Sequence, residues 1–501
     1  MPDSPKTPKR RIGAAAAVAV RGVAPLLPVV GSMVFAAMAP KPAMAPTAGQ
    51  QTTAIVQTQS TTSPVFNGTV PLPLLSKGHA VNWWFVFKMN ASAFPDCGTP
   101  DSSKGVDSRA CPFGGTPQTI EVQPPPPDGS GKSGPYRFGQ RFVFASSEKP
   151  NLTDGGQECM GTSTGDPVGA TFDEVYNGNF HYLLWNDQFH DTEPAPVAGC
   201  TGGDCGAPWG HSKGMIAWND AGEGFVMQVS TPSWPGSGNS KYLRPKIGNT
   251  LGCIAGDDDV EVSQHFFALR LSHADMLTVL HGLYEASVVA EPEAAGTPQT
   301  QFSNIGTTGP ADVAQAARML GGRSQLATKT IDPVMPETLS TGVKFIAKPS
   351  GLHVPPWQMV SSLLGGVSLR TATWWATPPI YSTTAGPVGC WDPSLKQTPG
   401  AVEIAITGKW NGIGFNLIGN PNANHAKIGV STTGTAHYAI FGDENQQGSR
   451  DPKEKPCDSS QNGRGGTFYA MDNAALSADM ASLITGLDPT KTTAPLTAPA
   501  K

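Results

Sequence analysis

The apolar residues of this chain fall in short runs, rich in aromatic and β-branched side chains and bounded by turn formers, which is a strand pattern. Asn82–Met89 (NWWFVFKM), Arg141–Ser146, Gly214–Asn219, Gly224–Thr231 and Gln264–Leu271 read this way in the first half. Gly342–Lys348, Ser368–Ala376, Ala401–Thr407, Lys427–Thr432 and Ala436–Gly442 do so in the second. Helices are fewer. Ser272 is placed to cap Ala274–Ala286, Pro355–Leu364 opens on prolines and stops at Gly365-Gly366, and Met471–Leu487 has helical periodicity. The pattern predicts a mixed α/β protein with a sheet core in each half. The halves span 68–290 and 335–490, and the stretch 291–334 between them reads as a linker with one short helix near Ala311–Leu320. A Thr/Pro/Ala-rich tail, 491–501, closes the chain as a disordered segment.

The two halves share one detail. His211-Ser212-Lys213 leads into GMIAWN, a turn and GFVMQVST, while His425-Ala426-Lys427 leads into IGVST, a turn and AHYAIFG. Each is a predicted hairpin whose first strand opens on His-x-Lys. Each second strand ends on polar residues at a similar distance, Ser230 in one case and Asp443 in the other.

Composition and charge add a setting for these hairpins. Gly (58) and Pro (47) are plentiful and charged residues make up 15%, which suits short strands and long turns. Residues 1–49 carry a basic start at Lys6, Lys9, Arg10 and Arg11, an apolar stretch, and small-residue sites at Ala43–Ala45 and Thr47–Gly49. This is the layout of an export signal, and Arg10-Arg11 also permits a twin-arginine route, so a secreted or periplasmic protein is expected. No later segment is apolar enough to span a bilayer, and no membrane partner is expected. Beyond the leader the chain holds 28 basic against 38 acidic residues and all ten histidines, so it approaches neutrality only in acid. Eight cysteines follow the leader, with Cys97/Cys111 and Cys200/Cys205 spaced as local staples. No Cys-x-x-Cys or clustered Cys/His spacing suggests a metal site, and no metal or other cofactor is expected.

On a strand, residues two apart share a face, so His211 projects with Lys213 and His425 with Lys427. If the halves pack about a pseudo-twofold axis, two imidazoles and two ammonium groups meet in one pocket. That set suits a phosphodiester. The lysines neutralise non-bridging oxygens, one neutral histidine attacks phosphorus, and the other, protonated, donates to the leaving oxygen.

The segment GHSKGMIAWNDAGEGFVMQVSTPSWP (Gly210–Pro235) resembles the first catalytic segment of the deoxyribonuclease II family, in the phospholipase D-like superfamily. NHAKIGVSTTGTAHYAIFGDEN, with the following RGGTFYAM, is similar to its second. AVNWWFVFKMN, PVGATFDEVYNGNFHYLLWNDQ and HVPPW also fit in order, so the resemblance covers roughly 68–490, and the Ala/Gly/Pro-rich composition looks bacterial. It implies two pseudo-symmetric halves, each a central β-sheet flanked by helices. It also implies metal-independent acid cleavage of DNA to 3′-phosphate and 5′-hydroxyl ends. By motif position His211, Lys213, His425 and Lys427 inherit the catalytic roles, and Asn219, Ser230, Asp443 and Asn445 supporting ones. The animal enzymes have an aspartate where Asn219 stands. His211 is the expected nucleophile, because its segment matches the family more closely. DNA is the expected partner, and a homodimer is compatible with this reading. The rival readings are another phosphodiesterase on the same scaffold, acting on phospholipid or RNA, and a secreted nucleic-acid-binding protein that does not cleave.

Overall fold

In a computed structural model, residues 67–89, 142–155, 160–161, 163–188, 205–232, 262–292, 302–321, 335–374, 382–386, 388–417, 424–446 and 461–487 are described. The leader, the tail, Arg141 and the Cys97/Cys111 loop lie outside them. Cys205 and Cys390 each take part in a disulfide. The described part falls in one unit, Gln57–Lys501, so the two predicted halves are not separate bodies.

Two sheets make up its centre. The first contains β1 (Trp83–Lys88), β2 (Phe142–Ser146), β3 (His181–Asn186), β4 (Lys213–Trp218), β5 (Gly224–Val229), β6 (Gln264–Leu271) and β7 (Ser303–Asn304). They run in the order β7-β3-β4-β5-β6-β1-β2, all antiparallel, with Thr153–Asp154 at the edge. The second contains β8 (Lys344–Lys348), β9 (Leu369–Ala372), β10 (Val402–Trp410), β11 (Ile428–Ser431), β12 (Tyr438–Gly442) and β13 (Gly466–Asp472). Its order is β8-β13-β12-β11-β9-β10, antiparallel except for β9 against β10. The order β3-β4-β5-β6-β1 in one sheet therefore has its counterpart in β9-β11-β12-β13-β8 in the other. The helices follow suit. Helix α1 (Pro167–Asn177) precedes β3 and α2 (His273–Glu285) follows β6. After α3 (Ala311–Arg318), α4 (Pro356–Leu363) precedes β9 and α5 (Ala474–Leu483) follows β13.

Strand alternation builds three layers of core from this order. Trp83, Phe85 and Phe87 of β1 and Phe267 and Leu269 of β6 enter a cluster shared with Phe441 of β12 and Tyr469 of β13. Their neighbours Trp84, Val86, Phe266 and Ala268 point the other way, onto Val168 and Phe172 of α1. In the second sheet Ile440 and Phe468 likewise turn outward onto Trp357 and Val360 of α4. The seam is aromatic. Phe267 stacks on Phe441 with ring centroids 4.1 Å apart, and Phe85 lies 4.8 Å from the same ring. The adjacent Trp83 and Trp84 thus lie on opposite faces of the sheet.

Most elements lie where the sequence puts them, and the departures have local causes. Ser272 caps α2 through a reciprocal box with Asp275. The helix expected from Met471 starts later, because Met471 and Asp472 complete β13 and Asn473 caps α5 by accepting from the Leu476 N–H. Helix α1 and strand β3 are additions to the reading. The first carries a glycine and several β-branched residues, and the second is buried on both faces and so lacks polar alternation. The span read as a linker needs correction at 302–321. There β7 pairs with Tyr182 and Leu183, and Val313, Ala314 and Ala317 of α3 place one helical stripe in the central core. No described helix is long and apolar enough to cross a membrane.

Because Phe441 meets both Phe85 and Phe267, it joins the two sheets. Phe441→Ala is expected to cost about 3–5 kcal/mol in denaturant unfolding while leaving a single transition for both sheets. A loss below about 1 kcal/mol would mean that the seam closes without it.

Candidate active site

Both His-x-Lys motifs lie at strand starts, but only partly within strands. Strand β4 begins at Lys213 and β11 at Ile428, so His211, His425 and Lys427 sit in the lead-ins. A lead-in has backbone groups free to bond elsewhere, and here each bonds across to the other sheet. The His211 N–H donates to the carbonyl of Gly465, just before β13, at 2.8 Å. The His425 N–H donates to the carbonyl of Ser263, just before β6, also at 2.8 Å. Glycine is required at the first crossing. A Cβ on Gly210 would meet the Ala286 carbonyl oxygen at 2.4 Å, and one on Gly465 would meet it at 2.2 Å.

The exchange continues through the side chains. Ser230 and Asp443 close the ends of β5 and β12 in the same way. Each donates its backbone N–H to the next strand, at His265 and Thr467 respectively, at 3.1 Å. Each side chain then accepts that residue's N–H, at 2.8 Å in both cases. Asp443 does more. Its Oδ2 also accepts from the hydroxyls of Thr467 (2.6 Å) and Ser212 (2.7 Å), and Ser212 in turn accepts from the Trp185 indole at 2.8 Å. Burial pushes the Asp443 carboxyl up to about 6 against these bonds. The Asp443 main-chain oxygen lies 2.8 Å from His211 Nδ1. A carbonyl can only accept, so Nδ1 carries the proton, and in the neutral ring Nε2 is left with its lone pair free. The ring of His425, half-buried, makes no comparable bond among the described residues.

The cations are held by groups the sequence reading did not single out. Asp187, at the end of β3 and fully buried, receives Lys213 Nζ on one oxygen and Arg464 on the other, each at 2.6 Å. Burial pushes its carboxyl up, but Lys213, His211 and Arg464 together outweigh that and hold it well below the usual carboxylate range. Arg464 also donates to the carbonyls of Cys205, Trp209 and Gly210, fastening the segment that leads into His211. Buried Lys348 donates to the Asn462 and Arg464 carbonyls and lies 3.6 Å from Glu444. Lys427 Nζ donates to the His425 carbonyl at 2.5 Å. Burial, and then the charge of Lys213, bring the Lys427 ammonium down to about 7.

The two motifs therefore share one electrostatic environment. Burial first, then Lys213, keeps His211 well below its ordinary range, with Lys427 of the other motif adding to the effect. For His425 burial is again first, followed by Lys427, Lys213 and Lys88. Ser230 bonds to His265, and Asp443 to Thr467, Ser212 and His211, within this set of contacts. Asn445 is buried beside it, but its Oδ1 accepts from the Trp374 N–H and its own N–H goes to Gln461, which ties two loops. Asn219 is not brought in. It stands at the far end of β4, where Oδ1 accepts from Ala221 and Glu223 in the hairpin turn and Nδ2 reaches the Thr69 carbonyl. Six residues of strand separate it from Lys213, about 20 Å. The carboxylate beside the first lysine comes instead from β3. Its segment, HYLLWNDQ, is part of the family-like sequence, but nothing in its spacing marks Asp187. Among the other histidines, exposed His437 lies at the far end of β12, and His353 borders Gly463 near Arg464. Among the described residues, no group of three or more His, Cys, Asp or Glu side chains is arranged to hold a metal ion.

Comparison with known proteins adds a family. The family model for deoxyribonuclease II matches residues 122–305, which include the first His-x-Lys motif and end before the second. The match supports the family resemblance read from the first segment, while the second lies outside it. No curated protein matches the chain.

The Lys88 charge is one of the causes holding His425 down, so Lys88→Met should raise the midpoint of the His425 ring titration followed by NMR. An unmoved or lowered midpoint would show that Lys88 does not act on this ring.

Proposed function

Taking the chain as a member of the deoxyribonuclease II family, we propose that it is a metal-independent acid endodeoxyribonuclease working through a phosphohistidine, exported from the cytoplasm by its leader. The observation that carries this reading is the crossing of the two His-x-Lys lead-ins, each bonded to the other sheet. Chemistry for a phosphodiester then follows from the geometry. His211 Nε2, its lone pair freed by the Nδ1 bond to Asp443, attacks phosphorus. As the bond from phosphorus to the 5′-oxygen breaks, His425 gives that oxygen a proton. Water, deprotonated by His425, then cleaves the P–N bond to leave a 3′-phosphate and free His211. Lys213 and Lys427 oppose the charge that gathers on the non-bridging oxygens.

Acid favours two of these parts. Lys427 gains its full charge only as pH falls through about 7. His425, held neutral by burial and cations, takes up its proton more readily in acid and with an anionic phosphate beside it. The matching order of strands and helices in the two sheets supports a phospholipase D-like arrangement of two related halves.

The test is plasmid DNA with the purified chain in chelator, from about pH 5 to pH 8, the range in which histidine and Lys427 titrate. Nicking should persist in chelator, rise as pH falls through about 7 and leave 3′-phosphate ends. His211→Ala should abolish turnover of DNA and of a nitrophenyl phosphodiester alike. His425→Ala should lose roughly 10²–10⁴-fold on DNA and far less on the nitrophenyl ester, whose leaving group needs no proton. Activity restored only by magnesium, or a His211→Ala variant at the wild-type rate, would overturn the mechanism. Preferential cleavage of RNA or phospholipid would keep the chemistry and change the substrate.

A further inference from the structure

His265 has no part in that mechanism, yet it is a fully buried imidazole whose ring points from the first sheet to the second motif. Its Nδ1 accepts the backbone N–H of Lys427 at 3.2 Å. Accepting there requires an unprotonated Nδ1, so the ring proton sits on Nε2, which faces Gln228 Oε1 at 3.4 Å. The Gln228 amide nitrogen donates to the Thr467 carbonyl at 3.0 Å. Thr467 donates to Asp443, and the Asp443 carbonyl holds His211. A single buried path of hydrogen bonds and peptide units thus runs from the Lys427 amide to the His211 ring.

Comparison of the two sheets isolates what the imidazole adds. His265 and Thr467 occupy matching places, each exchanging backbone bonds with Ser230 or Asp443. Thr467 turns its hydroxyl back to Asp443 in its own sheet, whereas His265 turns its ring across to Lys427. The sheet register is complete without that ring. Its contact instead fixes the residue whose Nζ is bonded to the His425 carbonyl. Acid would cancel this contact in an ordinary histidine by protonating Nδ1. Burial first, and then the Lys427 charge, bring His265 down to about 3, so the acceptor survives where the enzyme is proposed to work.

We propose that His265, backed by Gln228, is a positioning residue that sets the second His-x-Lys motif against the first. This rests on the phosphodiesterase reading above. The Lys427 amide, buried and without its acceptor, would shift to find another, carrying Nζ and His425 out of line with the phosphate.

The experiment measures kcat and KM for DNA in the full chain, for His265→Leu, His265→Gln, Gln228→Leu and His211→Ala, with a thermal melt of each. His265→Leu is expected to fold and to lose about 10–100-fold in kcat with KM within about twofold, the scale of a small misplacement. His265→Gln, whose amide can accept from Lys427 and donate to Gln228, should recover most of that loss. Wild-type kcat in His265→Leu, or a glutamine no better than leucine, overturns the proposal. Should the leucine variant not fold, the other pair decides. Gln228→Leu reduced in kcat at unchanged KM, with His265→Gln close to wild type, supports the proposal, and any other result for that pair overturns it. His211→Ala separates the two failures. An inactive His211→Ala beside a fully active His265→Leu removes only the positioning role, while an active His211→Ala removes the catalytic reading and this inference with it.

Discussion

A carboxylate with no exposed surface, Asp187, takes a cation on each oxygen, and the arrangement of the site depends on it. Lys213 comes from the adjacent strand of the same sheet, and Arg464 from the lead-in to β13 in the other. Without the carboxylate two buried cations would face each other uncompensated, a cost of several kcal/mol in a buried site. The same Arg464 Nη2 also donates to the carbonyls of Cys205 and Gly210, and its Nε donates to that of Trp209. One ion triad therefore joins Lys213, the approach to His211 and the second sheet.

The remaining cross-links follow the same logic of exchange. Each motif's lead-in bonds to the residue just before a strand of the opposite sheet, and each strand end is closed by a side chain, Ser230 or Asp443, in matching register. The match is not complete, and the differences set the chemistry. Asp443 supplies a carbonyl to His211 and a carboxylate to Ser212, while the corresponding place in the first sheet has a serine with no bond to the His425 ring. Two histidines in related surroundings thus receive different restraints. A reaction that needs one imidazole as a base-like nucleophile and the other as an acid requires that difference.

Burial gives the site its pH character. It lowers the three histidines and Lys427 and raises Asp443 and Glu444. Burial thus favours the neutral imidazoles, while Lys213 and Arg464 are paired with Asp187. In the proposed reaction an entering phosphate supplies negative charge beside these groups, so binding and protonation favour each other.

The strands around NWWFVFKM and QHFFALRL, the Ser272 cap and the two His-x-Lys doublets were legible because each depends on residues within a few positions of one another. Alternation, capping and the i, i+2 relation are local properties of the backbone, and a sequence displays them directly. The same locality explains the error at Asn219, whose nearness to the motif along the chain suggested a nearness in space that an extended strand denies. Asp187, Arg464 and His265 were not legible. Their partners lie 26, 277 and 162 residues away, and nothing in the run around any of them sets it apart. The sequence by itself determined that two His-x-Lys pairs exist and that each opens a hairpin. Only the packing of one sheet on the other decided that Arg464 joins Lys213 on Asp187, which histidine is held by its Nδ1 and which buried ring contacts the second pair, because those choices are made by groups that meet only once the aromatic seam has closed.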